Sequence, residues 1–271
     1  MLKKSKPDIE KKPQNIKEYI NWIENKFNVK IAGQTKAHYN AAALKVKEEF
    51  VTSKLWNNIF NEFKNISEEY ELSTHSSLLA LPSEEIQFSI KEFDSFLLKT
   101  FRRNVLTNSL WPKEPKDGWI TPDNWFSNIN DIVRTSIIVK YLDGVEFLLN
   151  NLFELANKEG AKTKKYYVGG VDGYYAAHIY VTIEYELPTM DFNTQNKLVS
   201  VEIQITTQIQ EVIKNLLHKH FEIRRIKKPS KPEEWQWDYQ CEEFATNYLG
   251  HMLHYIDGMI IGLKDHKGRI S

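Results

Sequence analysis

Two carboxylates and a histidine, set around a glycine-rich turn, are the residues of this sequence with the types and order to do chemistry. Asp131 opens one predicted strand, and Glu202 sits on the polar face of another. Between them runs Gly169-Gly170-Val171-Asp172-Gly173-Tyr174, three glycines before an aromatic ring, where backbone could approach a phosphate or a base. His178 follows four residues after Tyr174, on the polar face of the next strand. Transfer of a phosphate chain needs such parts: metal ions held by carboxylates, cations on the non-bridging oxygens and an acceptor placed in line. Singly, each signal is weak. A lone Asp is more often an element terminus, a lone Glu on a strand's polar face is usually solvated, and a lone Tyr is usually packing. Their joint occurrence in this order favours function.

The elements that must position these residues follow from hydrophobic period. Val133, Thr135, Ile137, Val139 and Tyr141 alternate with Arg134, Ser136, Ile138 and Lys140. A second strand over 175–185 puts Ala177, Ile179, Val181 and Ile183 on one face and His178, Tyr180, Thr182 and Glu184 on the other. A third over 198–206 turns Val199, Val201, Ile203 and Ile205 inward and Ser200, Glu202, Gln204 and Thr206 outward. Asp143 with Glu146 predicts a capping box for a helix that Gly160 closes. Thr207 and Gln210 cap a helix whose stripe is Ile209, Val212, Ile213, Leu216 and Leu217. Upstream, Asn15 reads as the N-cap of a helix through Ile16, Tyr19, Ile20, Ile23 and Phe27. One longer helical region spans 36–70, and a further helix carries Ile86, Ile90, Phe93 and Leu97 on one side. Residues 111–125, with three prolines and three tryptophans, read as a structured loop. The expected division is a helical region over 1–95, a catalytic domain over 96–228 and a C-terminal helix within 229–271 that packs on the core.

Among 271 residues, 36 Lys and Arg balance 36 Asp and Glu, so no global field points to nucleic acid or membrane and any basic surface must be local. The single Cys241 excludes an intramolecular disulfide and suits a reducing compartment. The polar N-terminus lacks a signal-peptide core, and no run approaches the ~20 apolar residues of a membrane span. The expectation is a cytoplasmic protein with no membrane partner. Lys164 and Lys165 before the glycine turn, with Arg224, Arg225, Lys227 and Lys228 beyond the third strand, are either a solvated face or a grip on an RNA backbone. His251 and His254 share a helix face at metal-chelating spacing, but no carboxylate is patterned with them, which favours a packing role.

Asp131-Ile132-Val133, Gly173-Tyr174 with His178, and above all Val201-Glu202-Ile203-Gln204-Ile205-Thr206-Thr207 together resemble the synthetase domain of the RelA/SpoT family. That family transfers pyrophosphate from ATP to a ribose 3′-hydroxyl, and the resemblance covers roughly residues 90–225. It implies an α+β fold of nucleotidyltransferase type: a mixed sheet of about five strands flanked by helices, with helical N- and C-terminal extensions. It implies that Asp131 holds Mg²⁺ under the ATP phosphates and that Glu202 shares the metal or acts as general base. Tyr174, beside Gly173, would stack on the acceptor base, and His178 would contact phosphate. Lys99, Arg102 and Arg103, with Arg134, are the candidates for the ATP side.

The sequence departs from the family pattern around the acceptor. Ser136 stands where an Arg is usual, Thr206 replaces the Arg of the Glu-Ile-Gln-Ile-Arg-Thr stretch, and Gly169-Gly170 replace a Pro-Lys. These changes resemble the small toxin branch of the family, as do Asn130-Asp131-Ile132-Val133-Arg134-Thr135 and Tyr248-Leu249-Gly250-His251. That likeness implies a toxin that pyrophosphorylates the 3′ CCA end of tRNA and is held in check by an antitoxin protein. A small alarmone synthetase making (p)ppGpp or (p)ppApp is the alternative, and a catalytically silent nucleotide-binding regulator is the third. No His-Asp dipeptide of the family's hydrolase occurs, so the reaction should run toward synthesis only.

Overall fold

The computed structural model describes residues 10–31, 33–189, 193–216 and 232–268. Five strands form one mixed sheet in the order β1-β2-β5-β4-β3. They are β1 (Ser89–Ile90), β2 (Val133–Val139), β3 (Lys162–Gly169), β4 (Tyr175–Pro188) and β5 (Thr194–Thr207). β2 and β5 run parallel, and the other neighbouring pairs are antiparallel. The expected five-stranded α+β architecture with helical ends is observed.

Alternation decides the faces. Val133, Ile137, Val139, Ala177, Ile179, Val181, Val199, Val201, Ile203 and Ile205 are all buried in one core. Helices α2 (Gly33–Thr52), α3 (Lys54–Thr74) and α6 (Leu142–Lys158) share it: Tyr39, Phe50, Phe63, Leu148, Leu149 and Leu152 are fully or nearly fully buried there. Burial at ~25 cal/mol per Å² makes this apolar layer the main stabilising term. The opposite sheet face is left to polar residues, and it carries the site.

The long helical region of 36–70 is two helices, because Ser53 breaks it: its backbone is extended and its hydroxyl caps Trp56 N–H at 3.1 Å. The helix expected through Ile86 and Ile90 begins only at Phe93, as α4 (Phe93–Phe101). Residues 89–90 are strand instead, paired to β2 with Ile90 opposite Val133. A short π-turn, Arg102–Leu106, continues α4. The Asp143–Glu146 capping box does not form. Tyr141 is the N-cap, and Asp143 is engaged by Tyr70 Oη at 2.8 Å. The other caps are as expected: Asn15 accepts from Glu18 N–H ahead of α1 (Ile16–Phe27), and Thr207 from Gln210 N–H at 3.2 Å ahead of α7 (208–216). Gly160, at φ +79°, terminates α6. Two short helices, α5 (Trp125–Asn128) and α8 (Pro232–Trp235), precede β2 and the final helix α9 (Glu242–Gly268). No described helix is long and apolar enough to cross a membrane.

Candidate active site

Asp131 lies two residues before β2 and is 8% exposed. Two lysines reach it from separate elements. Lys91 follows β1, where its N–H donates to Ile132 O at 2.8 Å, and its ammonium meets Asp131 Oδ2 at 3.1 Å. Lys99, on the second turn of α4, approaches Oδ1 at 2.7 Å. Burial pushes the Asp131 carboxyl up, but the two ammonium charges outweigh it and hold the group well below the usual carboxylate range. Burial, against the opposing pull of Asp131, lowers the Lys91 pKa, and the Arg134 charge nearby adds to that lowering.

Glu202 is 3% exposed and sits in the middle of the polar face. Sheet register sets its surroundings: Arg134 stands opposite on β2 and Tyr180 opposite on β4. Its Oε1 accepts from Tyr180 Oη at 2.9 Å and meets His178 Nδ1 at 3.0 Å, while Oε2 accepts from Gln204 Nε2 at 2.8 Å. Burial raises its pKa and Asp131 adds to that. The His178 hydrogen bond and charge, with Gln204, prevail and leave it lowered. Tyr180 is the converse case. Burial, then the Glu202 charge, push its hydroxyl far above its usual value, so it remains a donor to Glu202.

Residues 170–174 form the tight turn between β3 and β4, closed by Gly173 N–H to Gly170 O and Gly170 N–H to Tyr174 O, both at 3.0 Å. Gly173 has φ +76°, a conformation that favours glycine. Tyr174 Oη lies 3.4 Å from His178 Nε2, so a polar chain runs Tyr174–His178–Glu202. An open cavity of ≈ 610 Å³ adjoins this face, with Asn130, Lys164, Tyr180, Thr182 and Ser200 among its lining. A Cβ on Gly173 would come within 2.4 Å of Asn247 O, so α9 backs the turn directly.

Asp131, Glu202, Tyr174, Gly173, His178, Lys99 and Arg134 thus converge on one face. Arg103 is directed elsewhere, donating to Asn128 O at 2.7 Å and pairing with Asp117 at 3.6 Å. Arg102, half-buried, starts the π-turn beside it. Strand alternation separates the two lysines before the glycine turn. Lys164 lines the cavity, whereas Lys165 bonds Asn150 on α6 at 2.7 Å and lies over Phe153. Arg224, Arg225, Lys227 and Lys228 lie outside the described residues. Lys91, Tyr180 and Gln204 are additions. The signal for Lys91 was its place after Ile90, but a helical period through Ile86 and Ile90 hid the strand that delivers it. His251 and His254 pack: His251 Nδ1 is 2.8 Å from Tyr175 Oη, and His254 stacks on Tyr175 with centroids 3.7 Å apart.

The donor set suits a hard divalent cation. Asp131 and Glu202 offer carboxylate oxygens, and Asp131 Oδ1 is buried without an aligned hydrogen bond despite the nearby Lys99. Among the described residues no cluster of three or more His, Cys, Asp or Glu could hold a metal alone. Substrate phosphates would have to complete its shell, the usual arrangement for Mg²⁺.

No family model matches the sequence, and no curated protein does. Solved structures do match in fold. The small alarmone synthetase 1 of Bacillus subtilis superposes with TM-score 0.51 at 16% identity, over 86% of this chain and 95% of that one. A GTP pyrophosphokinase family protein of Streptococcus pneumoniae gives 0.50 at 16%, over 86% and 93%. The Bacillus subtilis enzyme bound to its product pppGpp gives 0.50 at 15%, over 85% and 94%. The chain therefore has the fold of these synthetases.

Proposed function

We propose that this chain is a pyrophosphotransferase that moves the β,γ-pyrophosphoryl group of ATP onto the ribose 3′-hydroxyl of a purine nucleotide, a guanine nucleotide first. The observation that carries this is the placement of Asp131 and Glu202, two buried carboxylates on one sheet face, the first paired to Lys91 and Lys99 and the second held by Tyr180, His178 and Gln204 with Arg134 opposite it in the sheet. A binding module has no need to stabilise two such charges side by side. The fold shared with alarmone synthetases supports the same reading.

In the step, the 3′-oxygen attacks the β-phosphorus of ATP, the bond from that phosphorus to the bridging α,β-oxygen breaks, and AMP leaves. The hydroxyl proton passes to Glu202 and on to water. Mg²⁺, held by Asp131 and Glu202, would neutralise charge on the transferring group. Lys99, 34% exposed at its side chain, is free to turn from Asp131 to a phosphate oxygen. Lys91 stays to keep Asp131 ionised. His178 orients Glu202 and presents Nε2 toward the acceptor side, where Tyr174 offers a ring for the base.

Transfer to the 3′ end of a tRNA is the second reading, and one observation favours it. Ser136 Oγ is 3.3 Å from Gln204 Oε1, and Thr206 Oγ1 bonds Tyr175 O at 3.2 Å. Neither position offers a cation to the 5′-diphosphate of a free nucleotide. An antitoxin would accompany this reading. The deciding experiment incubates the protein with γ-labelled ATP and Mg²⁺, supplying GDP, GTP, ATP or total tRNA separately, with Asp131→Asn as control. Label on a nucleotide, reduced about 100-fold or more in the variant, is the expected result. Label on intact but not CCA-trimmed tRNA would transfer the conclusion to the second reading. Absence of label on every acceptor would sink both.

A further inference from the structure

Each oxygen of the Asp131 carboxylate faces an ammonium group, and the two contacts differ in kind. Lys91, 6% exposed at its side chain, donates an aligned hydrogen bond to Oδ2 at 3.1 Å. Lys99, 34% exposed, stands 2.7 Å from Oδ1, yet Oδ1 is buried and receives no aligned hydrogen bond. The Lys99 contact is therefore one of charge on charge, made by a side chain that enters from solvent. A buried carboxylate oxygen whose hydrogen-bonding capacity is unmet calls for a reason.

Glu202 is held in a similarly lopsided way. Its Oε1 accepts from Tyr180 Oη and meets His178 Nδ1, while Oε2 has Gln204 Nε2 alone. The oxygens best placed to serve a hard cation are thus Glu202 Oε2 and Asp131 Oδ1, and Lys99 covers the second. Lys91 and Lys99 already set two positive charges against the one negative charge of Asp131. A dication arriving alone would meet the Lys99 ammonium on the oxygen it needs, and like charges repel strongly where water is scarce. A nucleoside triphosphate reverses that balance, because its phosphates bring negative charge and offer Lys99 another partner. We propose that Lys99 is an internal stand-in for the divalent cation: it caps Asp131 Oδ1 in the free chain and yields it only to a cation that arrives with the phosphates of a nucleotide. The inference rests on the reading of Asp131 and Glu202 as the metal-holding carboxylates. Such coupling is reciprocal, so nucleotide tightens metal binding by the same factor as metal tightens nucleotide binding.

Binding of Mn²⁺, read directly from loss of the free ion's electron paramagnetic resonance signal, tests this on the full chain without any transfer reaction. In the absence of nucleotide the unmodified protein should leave the ion free, and Lys99→Met should tighten its binding about tenfold or more. Lys99→Gln should do the same, whereas Lys99→Arg, which restores the charge, should behave as the unmodified chain. Arg103→Met removes a neighbouring charge that faces Asn128 and Asp117 instead, and it should leave the ion free. Failure of both neutral Lys99 variants to bind Mn²⁺ more tightly than the unmodified chain, or an equal gain in Arg103→Met, would overturn the proposal. No arm depends on turnover, so the two ideas fail separately. A chain that shows this binding pattern but labels no acceptor would lose the proposed activity and keep the role of Lys99.

Discussion

Lys91 and Lys99 hold the same carboxylate but are not equivalent. The Lys91 side chain is 6% exposed, and its carbonyl is fixed by Tyr39 Oη at 2.8 Å, so it is part of the scaffold. Lys99 enters from the solvent side. Removing a partner from a buried pair leaves an uncompensated charge, so Lys91→Met should destabilise by ~3 kcal/mol in urea unfolding. Lys99→Met should cost under ~1 kcal/mol and act instead on the KM for ATP. Equal stability losses in the two variants would contradict this division of labour. The same site makes a pH prediction. The folded Asp131 carboxyl is depressed below its ordinary 3.8, so its stabilisation is complete above that value and is lost as pH falls through the depressed one. The stability gap between the unmodified protein and Asp131→Asn should therefore be flat across neutral pH and narrow only in strong acid. A gap that closes near neutrality would show that the pairing does not exist in solution.

At the scale of elements, the turn between β3 and β4 and the helix α9 meet glycine to glycine. A Cβ on Gly250 would come within 2.4 Å of Gly173 O and 2.9 Å of Gly173 Cα, and all of these obstacles are backbone. Gly250→Ala must push the helix off the turn, at a cost of about 1–3 kcal/mol by overpacking. Because Tyr174 follows the displaced residue while Asp131 and Lys99 do not, the acceptor KM should rise with little change in the KM for ATP. Unaltered acceptor KM would disconnect α9 from the site. The strands that frame the carboxylates were legible from sequence, since β2, β4 and β5 each alternate apolar core residues with mostly polar ones, although β5 also buries Glu202 and Thr206 on its polar side. β3 was not. Lys162-Thr-Lys-Lys-Tyr-Tyr is polar on both faces because the strand is at the sheet edge, where neither face is deeply covered. β1 has two residues, too few for any period. Lys91 went unread for that reason: what brings it to Asp131 is a pairing across 40 residues, not a local pattern.

Across the whole molecule, one tie joins three helices distant in sequence. Lys264 on α9 meets Asp143 Oδ2 on α6 at 3.1 Å and Tyr70 Oη on α3 at 3.2 Å, and Tyr70 itself donates to Asp143 at 2.8 Å. The Lys264 ammonium also lies over the Tyr70 and Tyr141 rings, at 5.1 and 4.8 Å. None of this was visible locally: Asp143 reads as a helix cap, and only tertiary contact with Tyr70 and Lys264 recruits it elsewhere. The N-terminal half of α9 is anchored independently, by Gly250 and His251 against the glycine turn. Lys264→Met keeps the apolar stem and removes the ion pair and the cation–π contacts, a loss of about 1 kcal/mol for a partly buried group. If the two halves are held separately, backbone amides of 258–264 should exchange several-fold faster in this variant, while those of 247–251 keep their protection. Exchange that accelerates uniformly along α9 would mean the helix docks as one unit, and the acceptor turn would then share in every perturbation of its far end.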